Sequence, residues 1–304
     1  MTSTSVTTFP VVFISNGVRI AGRVHRQSDD LAERQPAVLV SGSWLTVKEQ
    51  MADHYAAALA GRGYTAISFD FAGYGQSDGD LRQFELPIRK VADIAAVANG
   101  ARTLSYVEPG EVGMLAVCAS AQYALTAIAQ GAPIRSFASV AGWFHDTTSI
   151  APFYGGDDGV RTRLQRASTA YETYLRTGEI VTVPAYEAGN DRAGMFFEMD
   201  YYANAGRGAV PQWRNEMAEI TWLPWLTFDG LAVADAVTAP TAFVHSDDCV
   251  FPAHVEALRG QLRGPVDVAW GEGTQTDFYD QPDQVAFAVD AVDAHFAKTL
   301  GATA

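Results

Sequence analysis

Ser120 stands in Cys118-Ala119-Ser120-Ala121-Gln122, directly after the apolar run Val112–Val117 and at the head of a helix-like stretch, Gln122–Gln130. A strand that turns sharply into a helix can present a hydroxyl as a nucleophile. The strained turn exposes the side chain, and the helix N-terminus supplies free N–H groups and the positive end of its dipole. Such a turn needs small residues two before and two after the nucleophile, where the backbone crowds. Cys118 is small enough and Gln122 is not. The same residues also fit an ordinary serine at a helix start. A serine hydroxyl is a weak nucleophile without a base, and imidazole is the usual base near neutral pH. The six histidines are His25, His54, His145, His245, His254 and His295. His145 lies just past the strand-like Phe137–Val140, where it either faces a pocket as a base or anchors the following segment by hydrogen bonds. His245 ends a strand-like run and reads as packing. The other four read as surface or packing residues.

The elements that must position these residues alternate. Val11–Ser15, the Asn16-Gly17 turn signal and Val18–Val24 read as a β-hairpin. Ala37–Val40, Thr65–Phe69, Val112–Val117, Phe137–Val140, Thr241–His245 and Val266–Trp270 are short apolar runs of the kind found in buried strands. Between them Val47–Arg62, Ile88–Leu104, Gln122–Gln130, His254–Leu262 and Pro282–Leu300 read as helices. This alternation predicts an α/β fold, a mostly parallel sheet with helices on both faces. Ligands of such sheets bind at the carboxyl ends of the strands. The rhythm breaks over 146–238, a helix-like stretch rich in Phe, Tyr and Trp. It is expected to be a helical cap inserted into a core formed by 1–145 and 239–304. Its aromatics either form the cap's own core or, in part, line a pocket.

Asp70-Phe71-Ala72-Gly73-Tyr74-Gly75-Gln76-Ser77, following a strand, resembles the D-x-x-G-x-G-x-S turn of the α/β-hydrolase superfamily. Gly42-Ser43-Trp44 sits where that fold supplies an oxyanion-hole N–H. Trp44–Gln50, Cys118-Ala119-Ser120 and Asp277-Phe278-Tyr279-Asp280 together resemble the dienelactone-hydrolase-related branch. The resemblance spans nearly the whole chain. It implies Ser120 as nucleophile, with the backbone N–H of Ala121 and that of Ser43 or Trp44 as the oxyanion hole. It implies an acid in His245-Ser246-Asp247-Asp248-Cys249-Val250-Phe251-Pro252. Asp247 matches the His-Ser-acid pattern of the branch, and Asp248 matches the acid-to-proline spacing. The family's histidine precedes the Asp-hydrophobic-Tyr-Asp element by two residues, and Gln275 occupies that position. An amide hydrogen-bonds but cannot shuttle a proton. His145 is then the candidate displaced base, and Gln122, Gln275 and Trp143 are candidate substrate-binding residues.

Three readings follow. The chain is a hydrolase or acyl-transfer enzyme acting on an ester, lactone or thioester-like compound. Or it performs a lyase, isomerase or cyclase step on a carbonyl compound, with its polar groups binding rather than attacking. Or it is a silent binding protein of the same fold.

Composition narrows the partners. The sequence has 304 residues, 35 acidic and 21 Lys+Arg side chains, and a formal net charge of −14. No Lys/Arg cluster serves a nucleic acid or an anionic membrane. Two cysteines are too few for a disulfide framework or a zinc site. No apolar run spans a bilayer, and Met1 to Thr8 lacks the features of a leader. A cytoplasmic protein without cofactor or metal is expected, binding an apolar or aromatic small molecule.

Overall fold

Strands that run inside a sheet covered on both faces need apolar side chains on both sides, and several short runs of this chain have them. The computed structural model describes residues 5–27 and 29–301; the opening stretch read for a leader lies partly outside them. The elements in chain order are β1 (Thr7–Ser15), β2 (Val18–Arg26), β3 (Gln35–Ser41), α1 (Met51–Ala60), β4 (Thr65–Phe69), α2 (Pro87–Ala101), β5 (Val107–Val117), α3 (Ser120–Ala129) and β6 (Ser136–Val140). Then follow α4 (Gly156–Thr177), β7 (Thr182–Val183), α5 (Asp200–Ala203), β8 (Met217–Ala218), α6 (Trp222–Leu226), β9 (Thr241–His245), α7 (Pro252–Gln261), β10 (Val266–Trp270), α8 (Asp277–Asp280) and α9 (Pro282–Thr299).

The main sheet has eight strands in the order β1-β2-β4-β3-β5-β6-β9-β10. The hairpin turns at Asn16 and Gly17, both at positive φ, and β1 and β2 pair antiparallel from Ser15 opposite Val18 outward. From β4 to β10 every neighbouring pair is parallel. Each residue of β3, β4, β6 and β9 is buried, as double coverage requires. The α/β expectation therefore holds.

Between β6 and β9 no segment joins this sheet. That stretch holds one long helix, α4, several short turns of helix, and the two-residue strands β7 and β8, which pair antiparallel with each other. Arg163 of α4 is buried among Tyr154, Phe196 and Trp222, and donates to the carbonyls of Tyr154 (2.9 Å) and Asp191 (3.1 Å). A guanidinium whose two terminal nitrogens reach backbone carbonyls, with aromatic faces around it, is an acceptable core residue.

The turn after β4 explains the Asp-to-Ser motif. Asp70 accepts from the Lys48 N–H (2.8 Å), the Gln76 N–H (2.9 Å) and the Lys48 ammonium (2.7 Å). A Cβ at Gly75 would fall 2.3 Å from its carboxylate, so only glycine fits there. Ser77 donates to the Asp70 carbonyl at 2.7 Å. The motif holds a turn together and contributes nothing to the cavity described next.

Candidate active site

The turn between β5 and α3 is where sheet and helix meet the segment between β6 and β9. Cys118 has φ of +57°, and Ala119 has already entered helical backbone. A left-handed, non-glycine residue of this kind costs on the order of 1–3 kcal/mol and persists only where its surroundings over-determine it. Here the Cys118 carbonyl accepts the N–H groups of Ala121 (3.0 Å) and Trp143 (3.0 Å), and its N–H donates to Val140 (3.1 Å). Leu45, Ala141 and Phe251 also have positive φ, and each lies past the carboxyl end of a parallel strand, as Cys118 does. Backbone strain thus collects at one edge of the sheet.

A cavity of about 280 Å³ opens at that edge. Its polar end is made by Ser43, Cys118, Tyr202, Gln275 and Tyr279. Its remaining walls are Trp44, Trp143, Phe153, Tyr154, Gly194, Met195, Phe197, Met199, Trp225 and Val250. Several of these come from the stretch between β6 and β9, so part of that aromatic set does line a pocket. Trp44 stacks on Trp225 (centroids 4.6 Å apart), and Trp143 packs on Phe153 (5.2 Å) and Phe251 (5.1 Å). No Asp, Glu, Lys, Arg or His belongs to the walls.

The residues singled out from sequence distribute unevenly around this cavity. Ser43, Trp44, Trp143 and Gln275 line it. Ser120 does not. It is buried at the first position of α3, and its hydroxyl donates to the carbonyls of Ser41 (3.2 Å) and Val117 (3.0 Å). The apex that faces the cavity is Cys118, two residues earlier. Ala116 and Ser120 are then the small flanking residues the turn needs. Gln122, the misfit in the serine register, is buried with its Oε1 accepting from the His145 N–H (3.3 Å) and its side chain where a Cβ at Gly230 would sit. That misfit, together with the fit of Ala116 and Ser120, was the available signal for Cys118.

His145 is fully buried, away from the cavity, and both ring nitrogens are engaged. Nδ1 accepts from the Trp143 indole (2.7 Å), which leaves Nε2 to donate to the Trp225 carbonyl (3.1 Å). Burial lowers its pKa to about 4. Of the two expectations, these contacts fit the hydrogen-bonded anchor. The carboxylates are also elsewhere. Asp247 and Asp248 are exposed on the turn after β9, and Asp247 accepts from the Trp270 indole at 3.0 Å. Among the described residues no group of three or more His, Cys, Asp and Glu is placed to hold a metal.

The backbone N–H groups expected to form an oxyanion hole are engaged differently from one another. The Ala121 N–H is spent on the Cys118 carbonyl. The Ala119 N–H, by contrast, is among the groups near Cys118 that favour its thiolate. The Ser43 N–H donates to the Met51 sulfur (3.4 Å), whereas the Trp44 N–H has no acceptor among the described residues.

This architecture can be set beside known proteins. The profile of the alpha/beta hydrolase family matches residues 37–289. The chain is 32% identical over 299 residues to the uncharacterized protein YcjY of Escherichia coli, covering 89% of this chain and 91% of the relative. The chain belongs to the alpha/beta hydrolase family. Its fold superposes on the crystal structure of the hypothetical protein PA2218 from Pseudomonas aeruginosa with a TM-score of 0.84, 21% identity and coverage of 98% and 95% of the two chains. A shorter match, 30% identical over 115 residues, joins 38% of the chain to 37% of the acyltransferase drtE of Aspergillus calidoustus.

In this alpha/beta hydrolase the polar end of the cavity is a web of neutral groups. Gln275 accepts from the Val250 N–H (3.1 Å) and donates to the Ala141 carbonyl (2.7 Å) and the Tyr279 hydroxyl (3.2 Å). Tyr279 and Tyr202 each lie 3.3 Å from the Ser43 hydroxyl. Burial pushes the Cys118 thiol up from its ordinary value and outweighs the neighbouring Ser43, Tyr279 and Gln275 side chains, which favour its thiolate. Burial likewise pushes the Tyr202 and Tyr279 phenols well up. At neutral pH the site presents a thiol, hydroxyls and an amide, and no charge. Tyr202 and Tyr279 are members that sequence reasoning did not assign. Tyr279 lay inside the quoted Asp-Phe-Tyr-Asp element, whereas Tyr202 had no distinguishing signal.

Proposed function

We propose that this protein is an acyl-transfer enzyme in which Cys118, rather than Ser120, attacks the carbonyl of a neutral, apolar acyl compound activated as a thioester. We place it in the dienelactone-hydrolase-related branch of its superfamily, with Gln275 at the usual histidine position. The observation that carries the reading is Cys118 at the strained apex, facing a cavity whose walls hold no charged or imidazole group.

The chemistry follows from the groups present. The Cys118 sulfur adds to the thioester carbonyl, and the developing oxyanion takes the N–H groups of Trp44 and Ala119. The acyl–sulfur bond breaks, the acyl group stays on Cys118, and the leaving sulfur collects the proton that Cys118 releases. The Ser43 and Tyr279 hydroxyls can relay that proton, so no resident base is consumed. A second nucleophile then takes the acyl group and returns the proton to Cys118. A thiolate is a far better leaving group than an alkoxide, which suits a site without a strong acid. Water attacks slowly here, because general-base catalysis is typically worth about 10²–10⁴-fold and the walls contain no imidazole. Transfer is therefore favoured over hydrolysis. The local match to an acyltransferase supports the same direction. A reducing cytoplasm suits a site built on a free thiol.

The test is a stopped-time assay with S-phenyl thiobenzoate, a neutral aryl thioester. The wild type releases a burst of one equivalent of thiophenol followed by slow turnover. Cys118→Ala abolishes the burst, and Ser120→Ala keeps it. A burst that survives in Cys118→Ala and is lost in Ser120→Ala would overturn the assignment. The absence of any burst, with tight thioester binding, would favour a site that only binds or polarises a carbonyl.

A further inference from the structure

The loop after β3 fixes successive peptide groups by separate devices. The Ser43 N–H is tied to the Met51 sulfur at 3.4 Å. The Ser43 carbonyl, in the next peptide, accepts the Thr46 hydroxyl at 2.7 Å. The N–H of the peptide after that, at Leu45, donates to the Glu85 carboxylate at 3.3 Å. The Leu45 carbonyl accepts the Trp213 indole at 2.8 Å. Leu45 itself has φ of +60°, so this path is strained and must be held.

The middle peptide is the important one. Its carbonyl belongs to Ser43 and its N–H to Trp44. In a planar trans peptide the two bonds point in opposite directions. Holding the Ser43 oxygen on the Thr46 side therefore turns the Trp44 N–H the other way. Thr46 is buried, is absent from the cavity walls, and donates its hydroxyl to this carbonyl.

We infer that Thr46 is a positioning residue. Its hydroxyl fixes the Ser43–Trp44 peptide and so aims the Trp44 N–H at the carbonyl oxygen of an acyl group on Cys118. This rests on the acyl-transfer reading above. Thr46 touches no reacting atom and acts through the backbone. The consequence is specific to steps that build an oxyanion. Acylation of Cys118 by a thioester is such a step, and alkylation by iodoacetamide is not.

The experiment compares both reactions in the wild type, Thr46→Val and Thr46→Ser. Removing an oxyanion donor outright costs about 10²–10³-fold, so a misaimed donor in Thr46→Val should slow benzoylation by S-phenyl thiobenzoate by about tenfold or more, while alkylation stays within about twofold. Thr46→Ser, which keeps the hydroxyl, should restore benzoylation. Equal loss of both reactions in Thr46→Val would make the role a packing one and overturn the inference, as would unchanged benzoylation. If the wild type is alkylated at Cys118 but never benzoylated there, the acyl-transfer reading itself fails and no oxyanion remains for Thr46 to serve.

Discussion

At the scale of single residues, the site turns on a two-position shift. A serine and a cysteine share one short turn, and the backbone decides which of them faces the cavity. The positive φ belongs to Cys118, and the helix already encloses Ser120. The turn's size rule pointed the same way, because Ala116 and Ser120 flank Cys118 where Gln122 obstructs Ser120. Serine is the commoner nucleophile in such motifs, and that expectation hid the better register. Two predictions belong here. Burial raises the Cys118 thiol, so its alkylation rate should keep climbing with pH beyond the range of an ordinary cysteine near about 8.5. A plateau at or below that range would contradict a buried, neutral thiol. Gln275→His should speed hydrolysis of the acylated enzyme by about tenfold or more, because an imidazole there could activate water. The measurement is steady-state release of benzoate, and no gain would mean that the amide's three hydrogen bonds hold that loop in a shape imidazole cannot adopt.

At the scale of elements, strand and helix placement was legible where periodicity and turn chemistry agreed. Asn16-Gly17 fixed the hairpin, and apolar runs fixed the parallel strands. Helix starts were less so: the helix expected from Val47 begins at Met51, because Lys48 and Gln50 are occupied in side-chain contacts that shape the preceding loop. That loop is braced from the segment just before α2. Glu85 accepts from Leu45, from the hydroxyls of Tyr74 (3.0 Å) and Tyr123 (2.8 Å), and from the Lys90 ammonium (2.7 Å). Both charges are buried. Removing one partner of a buried pair strands the other, at a cost of about 3–5 kcal/mol. Glu85→Ala should therefore lower the urea midpoint strongly. The double variant Glu85→Gln/Lys90→Met should recover much of the loss, since it leaves no unpaired charge. Equal stability of Glu85→Ala and the wild type would contradict the bracing role.

At the scale of the whole molecule, the mostly parallel sheet and the net negative charge require little beyond composition and pattern, but the strand order required coordinates, and so did the histidines. Sequence could rank them by neighbourhood only. Burial and both hydrogen bonds of His145 are properties of packing between the segment after β6 and α6. Its consequence is global. His145 and His245 are both lowered to about 4 by burial, against an ordinary value of 6.5. The unfolded chain therefore takes up protons first as pH falls. Stability is full above about 6.5 and declines toward pH 4, by roughly 3 kcal/mol for each fully buried imidazole. The urea midpoint should fall between pH 7.5 and 5, and a flat profile would contradict the neutral, buried rings. The central claim concerns the reacting atom, and peptide mapping of the acyl adduct tests it most directly. After brief exposure to S-phenyl thiobenzoate and digestion at low pH, the benzoyl group should reside on Cys118; a benzoyl group on Ser120 would contradict the account.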